Sequence, residues 1–297
     1  MTTVAITGAT GNVGRQLVLA LLEQGLQVRA IGRSTDRLAG LVQRGAEGRA
    51  GSLDDARFLS EAFRGADAAW VMIPPAHGDS DPRGHQARVT EALAVGLQVA
   101  RVRHAASLSS IGADQPAGNG PIAGLHALEQ RLNAVPGLNL VHLRPGYFFE
   151  NHLGAIGLIK GAGVNGGHFH SDLPIPMIAT RDVARAAALL LSRPAFAGHR
   201  VQELQGPRDY TMREVTTILG TAIGRPELPY VEFSAADFHA GLLAAGIASP
   251  MADLFVEMIH GFNTGHCHAL TTRSAETTTP TTLEQWAREV FAPAFGG

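Results

Sequence analysis

The sequence predicts an α/β fold: a doubly wound parallel sheet carrying a smaller C-terminal α+β lobe. Three observations lead there. Short apolar runs alternate with amphipathic stretches of helical length over the first 150 residues, as βαβ crossovers require. The first apolar run ends in a glycine-rich turn that opens a helix, "TGATGNVG" at 7–14. After about residue 150 the alternation gives way to a Gly- and Pro-rich stretch, then to helices separated by short segments.

The elements follow in order. "TVAI" (3–6) is a continuous apolar run, the mark of a strand buried on both faces. "NVGRQLVLALLEQG" (12–25) gathers Val13, Leu17, Leu19, Leu21 and Leu22 on a broad apolar face, and Gly25 suits its C-cap. "LQVRAIG" (26–32) is a second strand, and "TDRLAGLVQRG" (35–45) a helix capped by Ser34 or Thr35. A helix over 54–65 precedes "DAAWVMIPP" (67–75), a strand stopped by two prolines. A helix over 85–96 leads to "RVRHAASLSS" (101–110), a strand running into small residues. A helix over 126–137 and the strand "LNLVHLRPG" (138–146) complete the series. Right-handed crossovers between such strands give a doubly wound sheet. "TRDVARAAALLLSR" (180–193) returns to clean helical periodicity. The division expected is 1–150, with 180–195 returning to it, and a substrate-side lobe of 151–179 and 196–297.

Composition narrows the function classes. Hydrophobic residues make up 45% and charged residues 17%, so a large core is available and disorder is not expected. The net charge is −2, and no arginine cluster interleaved with aromatics offers a footprint for nucleic acid or an anionic membrane. The single cysteine, Cys267, cannot close an internal disulfide. No apolar run spans a bilayer, and no basic leader precedes "TTVAITGAT". These features together predict a cytoplasmic globular protein. The only lysine is Lys160, so other cationic chemistry falls to arginine and histidine.

The glycines at 8, 11 and 14 have separate tasks. Gly8 lets the chain turn off the strand, Gly11 leaves room for a pyrophosphate against the backbone, and Gly14 allows close packing of the helix. The helix N-terminus then meets the phosphates with free N–H groups and a positive dipole end. The second strand ends in "AIGRS", with no carboxylate for a ribose 2′-hydroxyl and with Arg33 placed to pair with a 2′-phosphate. The cofactor predicted is NADP(H), with NAD(H) the weaker choice.

"TGATGNVG", "VRAIGRS", "GSLDD" (51–55), "WVMIPP", "HALE", "LRPGYFFEN" (143–151) and "TRDVA" (180–184) occur in the order seen in the NmrA-like family. The chain resembles these atypical short-chain dehydrogenase/reductase relatives along almost its whole length. The resemblance implies a Rossmann dinucleotide-binding domain. It also implies either NAD(P)H-dependent reduction of quinones or dyes, or a redox sensor that binds the dinucleotide without turnover. Carried over by position, Gly8, Thr10, Gly11, Asn12 and Val13 would line the pyrophosphate and Arg33 would face the adenosine phosphate. Ser52 and Leu53 would flank the adenine, although many relatives have Asp where Ser52 stands. Ile73, Pro74 and Pro75 would pass under the adenosine ribose, and "GYFFEN", with Tyr147, Phe148 and Asn151, would run beside the nicotinamide. His126 stands where many relatives have a lysine or histidine that touches the cofactor.

The usual short-chain dehydrogenase relay, Tyr-x-x-x-Lys on one helix, is absent. None of Tyr147, Tyr210 and Tyr230 has a lysine four residues on. His126 and Tyr147 remain as candidate catalytic groups. Ser107 and Ser109, at a strand end, offer hydroxyls to cofactor or acceptor. Hydride transfer to an electron-poor conjugated acceptor needs alignment and exclusion of water more than a strong acid. Two histidine pairs, His168/His170 and His266/His268 around Cys267, point the same way if extended, but only Asp172 stands nearby as a third ligand. No metal is expected; they better suit the lining of a polar pocket. The leading function is NADPH-dependent reduction of a quinone-like or other conjugated small molecule. The rival is a non-catalytic NADP(H) sensor acting through a protein partner.

Overall fold

The structure, a computed structural model, describes residues 2–297. In chain order, β1 (Thr3–Thr7), α1 (Asn12–Glu23), β2 (Gln27–Gly32), α2 (Thr35–Val42), β3 (Glu47–Ala50), α3 (Ala56–Phe63), β4 (Ala68–Val71), α4 (Pro82–Ala100), β5 (His104–Leu108), α5 (Ile122–Asn133) and β6 (Asn139–Pro145) alternate strand with helix. Then come β7 (Tyr147–Phe148), α6 (Ile156–Ala162), β8 (Asn165–Gly167), β9 (Ile175–Ile178), α7 (Thr180–Ser192) and β10 (His199–Leu204). The chain closes with β11 (Asp209–Tyr210), α8 (Met212–Ala222), β12 (Tyr230–Glu232), α9 (Ala235–Ala244), α10 (Ser249–Asn263), α11 (Leu283–Trp286) and α12 (Ala292–Gly296).

Seven strands form one parallel sheet in the order β10-β6-β5-β4-β1-β2-β3. The order reverses at β1, which pairs with β2 on one side and β4 on the other. The Thr7 hydroxyl locks that seam: it donates to the Trp70 carbonyl and accepts from the Met72 N–H, both at 3.1 Å. Along β1 the side chains alternate between two cores. Val4 and Ile6 join Leu17, Leu21, Trp70 and Leu191 beneath α1 and α7. Ala5 joins Leu59, Phe63, Leu93 and Leu128 beneath α3, α4 and α5. A third core, around Phe149, Tyr210, Trp286 and Phe291, belongs to the smaller lobe. That lobe carries a three-stranded sheet, β11-β9-β7, and the pair β12-β8. The doubly wound Rossmann sheet with an α+β lobe is the fold the sequence predicts.

Three differences have physical causes. Strand β3 was not expected because "EGRA" is exposed at every position and held by its ladder and the Arg29–Glu47 ion pair (2.7 Å), so it has no apolar signature. Strand β10 is the opposite edge, and its first three residues are exposed. It pairs with β6, so the main sheet extends to Leu204, into residues that the sequence division gave to the lobe. Helix α5 starts at Ile122, which puts His126 in its second turn instead of at its start.

Buried between β5, β6 and α5 is His142, fully bonded: Nδ1 accepts from the Ser107 hydroxyl (2.7 Å) and Nε2 donates to the Asn133 side-chain Oδ1 (3.1 Å). Burial pushes its pKa down to about 4, and does the same to His152. The unfolded chain binds protons at both histidines below about pH 6.5, while the fold keeps them neutral until about 4. Stability is therefore complete above pH 6.5 and falls as the pH drops through this window. Urea midpoints measured from pH 7.5 to 4.5 should decline steadily below 6.5, and His142→Asn should flatten part of the decline.

Candidate functional site

In a parallel sheet all strand carboxyl ends share one edge, and the crevice opens where the strand order reverses. Here that point lies between β1 and β4. The glycine turn follows β1. Gly8 has φ +63°, and a Cβ there would stand 2.7 Å from the Met72 sulfur. A Cβ on Gly14 would stand 2.2 Å from the Gly8 carbonyl oxygen, so the first turn of α1 packs directly on the turn backbone. Gly11 differs: the one atom within 4 Å of its Cβ would be that same oxygen, at 3.3 Å. Its outer side is open. Gly11 also occupies the N-cap of α1, with no side chain closing the cap and no acidic residue in the first turn. Such an end is built to receive an anion.

The other residues expected at the site follow successive strand ends. Thr10 is half-buried, Asn12 exposed and Val13 buried within the same turn. Arg33 follows β2, is exposed, and makes no ion pair among the described residues. Ser52 is exposed after β3, while Leu53 is buried in the core. Ile73 and Pro74 are half-buried and Pro75 exposed beyond β4. Phe148 is half-buried and Asn151 exposed beyond β6.

At the far end of the crevice, Glu129 of α5 organises the floor. Its carboxylate accepts two bonds from Arg144 (2.9 and 2.6 Å) and one from the Ser109 hydroxyl (2.5 Å), all buried. One turn earlier, His126 Nδ1 donates to the Ala113 carbonyl at 2.9 Å. In the neutral ring that bond puts the proton on Nδ1 and leaves Nε2 as the acceptor. The structure does not offer the Ser107 hydroxyl to the crevice as expected: the residue is fully buried and its hydroxyl is bonded to His142. The Ser109 hydroxyl is likewise committed to Glu129. Tyr147 packs against His152 and Phe169, with ring centroids 5.6 and 5.3 Å away. Burial pushes its phenol up to about 12, opposed only by a hydrogen bond with Asn151.

Three of the four paired histidines bond backbone carbonyls. His168 Nδ1 bonds the Phe233 carbonyl, His266 Nε2 the Ala117 carbonyl and His268 Nδ1 the Gly265 carbonyl, at 2.8–2.9 Å. His170 pairs with Glu232 and Asp172 with Arg213, both at 2.8 Å. Cys267 is buried, its thiol pushed up to about 11 by desolvation. Sequence reasoning passed over His152, which no spacing marks; the structure buries its Nε2 without a partner among the described residues.

An uncapped helix end after a glycine turn, at the switch point of a doubly wound sheet, defines a dinucleotide-binding protein. Comparison with known proteins agrees. A family model described as NAD(P)H-binding matches residues 8–194, and the chain belongs to that family, within its NmrA-like branch. Its cofactor is NAD(P)H. A (4-alkanoyl-5-oxo-2,5-dihydrofuran-3-yl)methyl phosphate reductase of Streptomyces griseus is 29% identical over 88% of each chain. An NAD(P)H azoreductase of Xenophilus azovorans is 28% identical over 86% of this chain and 85% of its own. The NADPH-dependent quinone oxidoreductase of Escherichia coli, solved with NADPH, superposes with a TM-score of 0.79 at 26% identity, covering 97% of this chain and 99% of its own. Among the described residues, no helix is long and apolar enough to cross a membrane.

The glycines should separate by substitution. Gly14→Ala drives a methyl into the Gly8 carbonyl and should destabilise the fold outright. Gly11→Val should leave the thermal midpoint within a few degrees of wild type and abolish NADPH binding. Calorimetry and cofactor fluorescence titration of the two variants measure both effects.

Proposed function

We propose that this protein is an NADPH-dependent reductase that passes hydride from the nicotinamide to a quinone-like or other conjugated small molecule. The observation that carries the reading is the state of Tyr147: no lysine accompanies it, and burial raises its phenol to about 12. A phenol with that pKa is a poor acid at neutral pH, so reduction of an isolated carbonyl lacks its proton source. A conjugated acceptor spreads the arriving charge and lets water supply the proton later. Curated relatives that reduce azo and furanone compounds support the same class.

In this reading Gly8, Thr10, Gly11, Asn12 and Val13 hold the pyrophosphate, Arg33 the 2′-phosphate, and Ser52 and Leu53 the adenine. Ile73, Pro74 and Pro75 underlie the adenosine ribose, His126 accepts from the nicotinamide ribose, and Tyr147, Phe148 and Asn151 flank the ring. NADPH oxidation measured against quinones, azo dyes and enones tests the proposal; no turnover with any of them would refute it.

Arg33→Ala removes one charge-assisted contact and should weaken NADPH binding by about 10- to 100-fold, with NADH almost unaffected. Titration of both cofactors decides the point, and equal losses would remove Arg33 from the 2′-phosphate. Tyr147→Phe keeps the ring and should hold single-turnover hydride transfer within about tenfold of wild type. Loss of a working general acid would cost roughly 10²–10⁴-fold.

A further inference from the structure

Two buried histidines provide a controlled comparison. His142 is 1% exposed with both ring nitrogens bonded. His152 is 4% exposed, yet its Nε2 is buried and meets no partner among the described residues. Leaving a buried polar atom unpaired costs about 1–3 kcal/mol, and such atoms in a native fold call for an explanation.

The surroundings supply one. His152 sits in the 3₁₀ turn Phe149–Ala155, directly after Asn151 and beyond the carboxyl end of β6. Its ring lies 5.6 Å from that of Tyr147. Tyr147 stands edge-on to Phe169 at 5.3 Å, and Phe169 to Phe262 at 5.9 Å. The Tyr230 hydroxyl is bonded to the Phe169 carbonyl at 2.9 Å. His152 thus borders an aromatic cluster, with neither ring nitrogen hydrogen-bonded and Nε2 buried without a partner among the described residues.

We propose that His152 is a substrate-binding residue whose ring donates a hydrogen bond to an oxygen or nitrogen of a planar, uncharged, conjugated acceptor. The inference rests on the reductase reading and deepens it by assigning the acceptor's polar contact. Burial keeps the imidazole neutral at pH 7, with one N–H and one lone pair, so it favours an uncharged ligand. When hydride reaches the acceptor carbon, negative charge grows on the conjugated heteroatom, and a donor fixed there stabilises it. His152 transfers no proton; water completes the reduction.

The test uses two acceptors, 1,4-naphthoquinone and a cationic triarylmethane dye whose amino nitrogens are poor hydrogen-bond acceptors. His152→Phe should lower kcat/KM for the quinone by about tenfold or more, leave the dye within about twofold, and leave NADPH affinity unchanged. His152→Gln should recover part of the loss. Because an unpaired polar atom is removed, the Tm of His152→Phe should equal or exceed that of wild type. An unchanged quinone rate, an equal fall for both acceptors, or a lowered Tm would overturn the proposal. If wild-type protein reduces neither compound, the reductase reading fails instead. The contact is then read directly, from the His152 ¹⁵N resonances as naphthoquinone is added to the NADP⁺ complex. A shift confined to His152 sustains the contact, and no shift refutes it.

Discussion

A Cβ at position 14 would lie 2.2 Å from the Gly8 carbonyl oxygen, and the rest of the site depends on its absence. That approach sets the depth at which α1 meets the sheet. It brings the uncapped N-terminus of α1 to the switch point between β1 and β4. It also lets α1 lie across from α7 over a shared core of Leu17, Leu21 and Leu191. Met72, under Gly8, and the Thr7 hydroxyl tie the same turn to the end of β4. Binding geometry and core packing are thus one constraint at this corner, which is why a methyl at 14 threatens the fold whereas one at 11 threatens the ligand.

The opposite end of the crevice is held by charge instead of by close backbone contact. Glu129 and Arg144 form a buried, bidentate pair, and Ser109 completes the carboxylate's coordination. Such a pair contributes modestly to net stability, but losing one partner costs about 3–5 kcal/mol because the other charge stays buried. Its effect is positional. It fastens α5 to β6 and to the loop after β5, and His126 on α5 is bonded to that loop through Ala113. The single lysine lies elsewhere, in α6, so this end holds its residues with arginine and histidine.

Much of this was legible in the sequence because it repeats. Buried strands read as apolar runs, helices as amphipathic stretches, and the glycine spacing ties a turn to its ligand. What failed to read was polar or non-local. Strand β3 has no buried residue, and β10 begins in exposed ones, so both edges look like loops. Ser107 sits at a strand end as a ligand contact would, but one residue decides which face it points to, and it points into the core toward His142. Arg33 could be singled out because the missing carboxylate at the end of β2 is itself a local signal, and the structure leaves it exposed and without an ion pair among the described residues. His152 could not, because its distinction is the lack of a partner for Nε2 in three dimensions.

Burial acts on the two titratable groups beyond β6 in opposite directions with one outcome. It raises the Tyr147 phenol to about 12 and lowers the His152 imidazole to about 4. Across the neutral range both stay uncharged, so neither can relay a proton by changing its ionisation. What the pair retains is shape, a stacking face and a hydrogen-bond donor. In the proposed reaction that suffices for an acceptor able to delocalise charge, and not for one that needs protonation in the same step. On that proposal the desolvation that lowers stability in acid also narrows the chemistry, and a variant that rehydrates these residues should gain acid tolerance as it loses selectivity for conjugated acceptors.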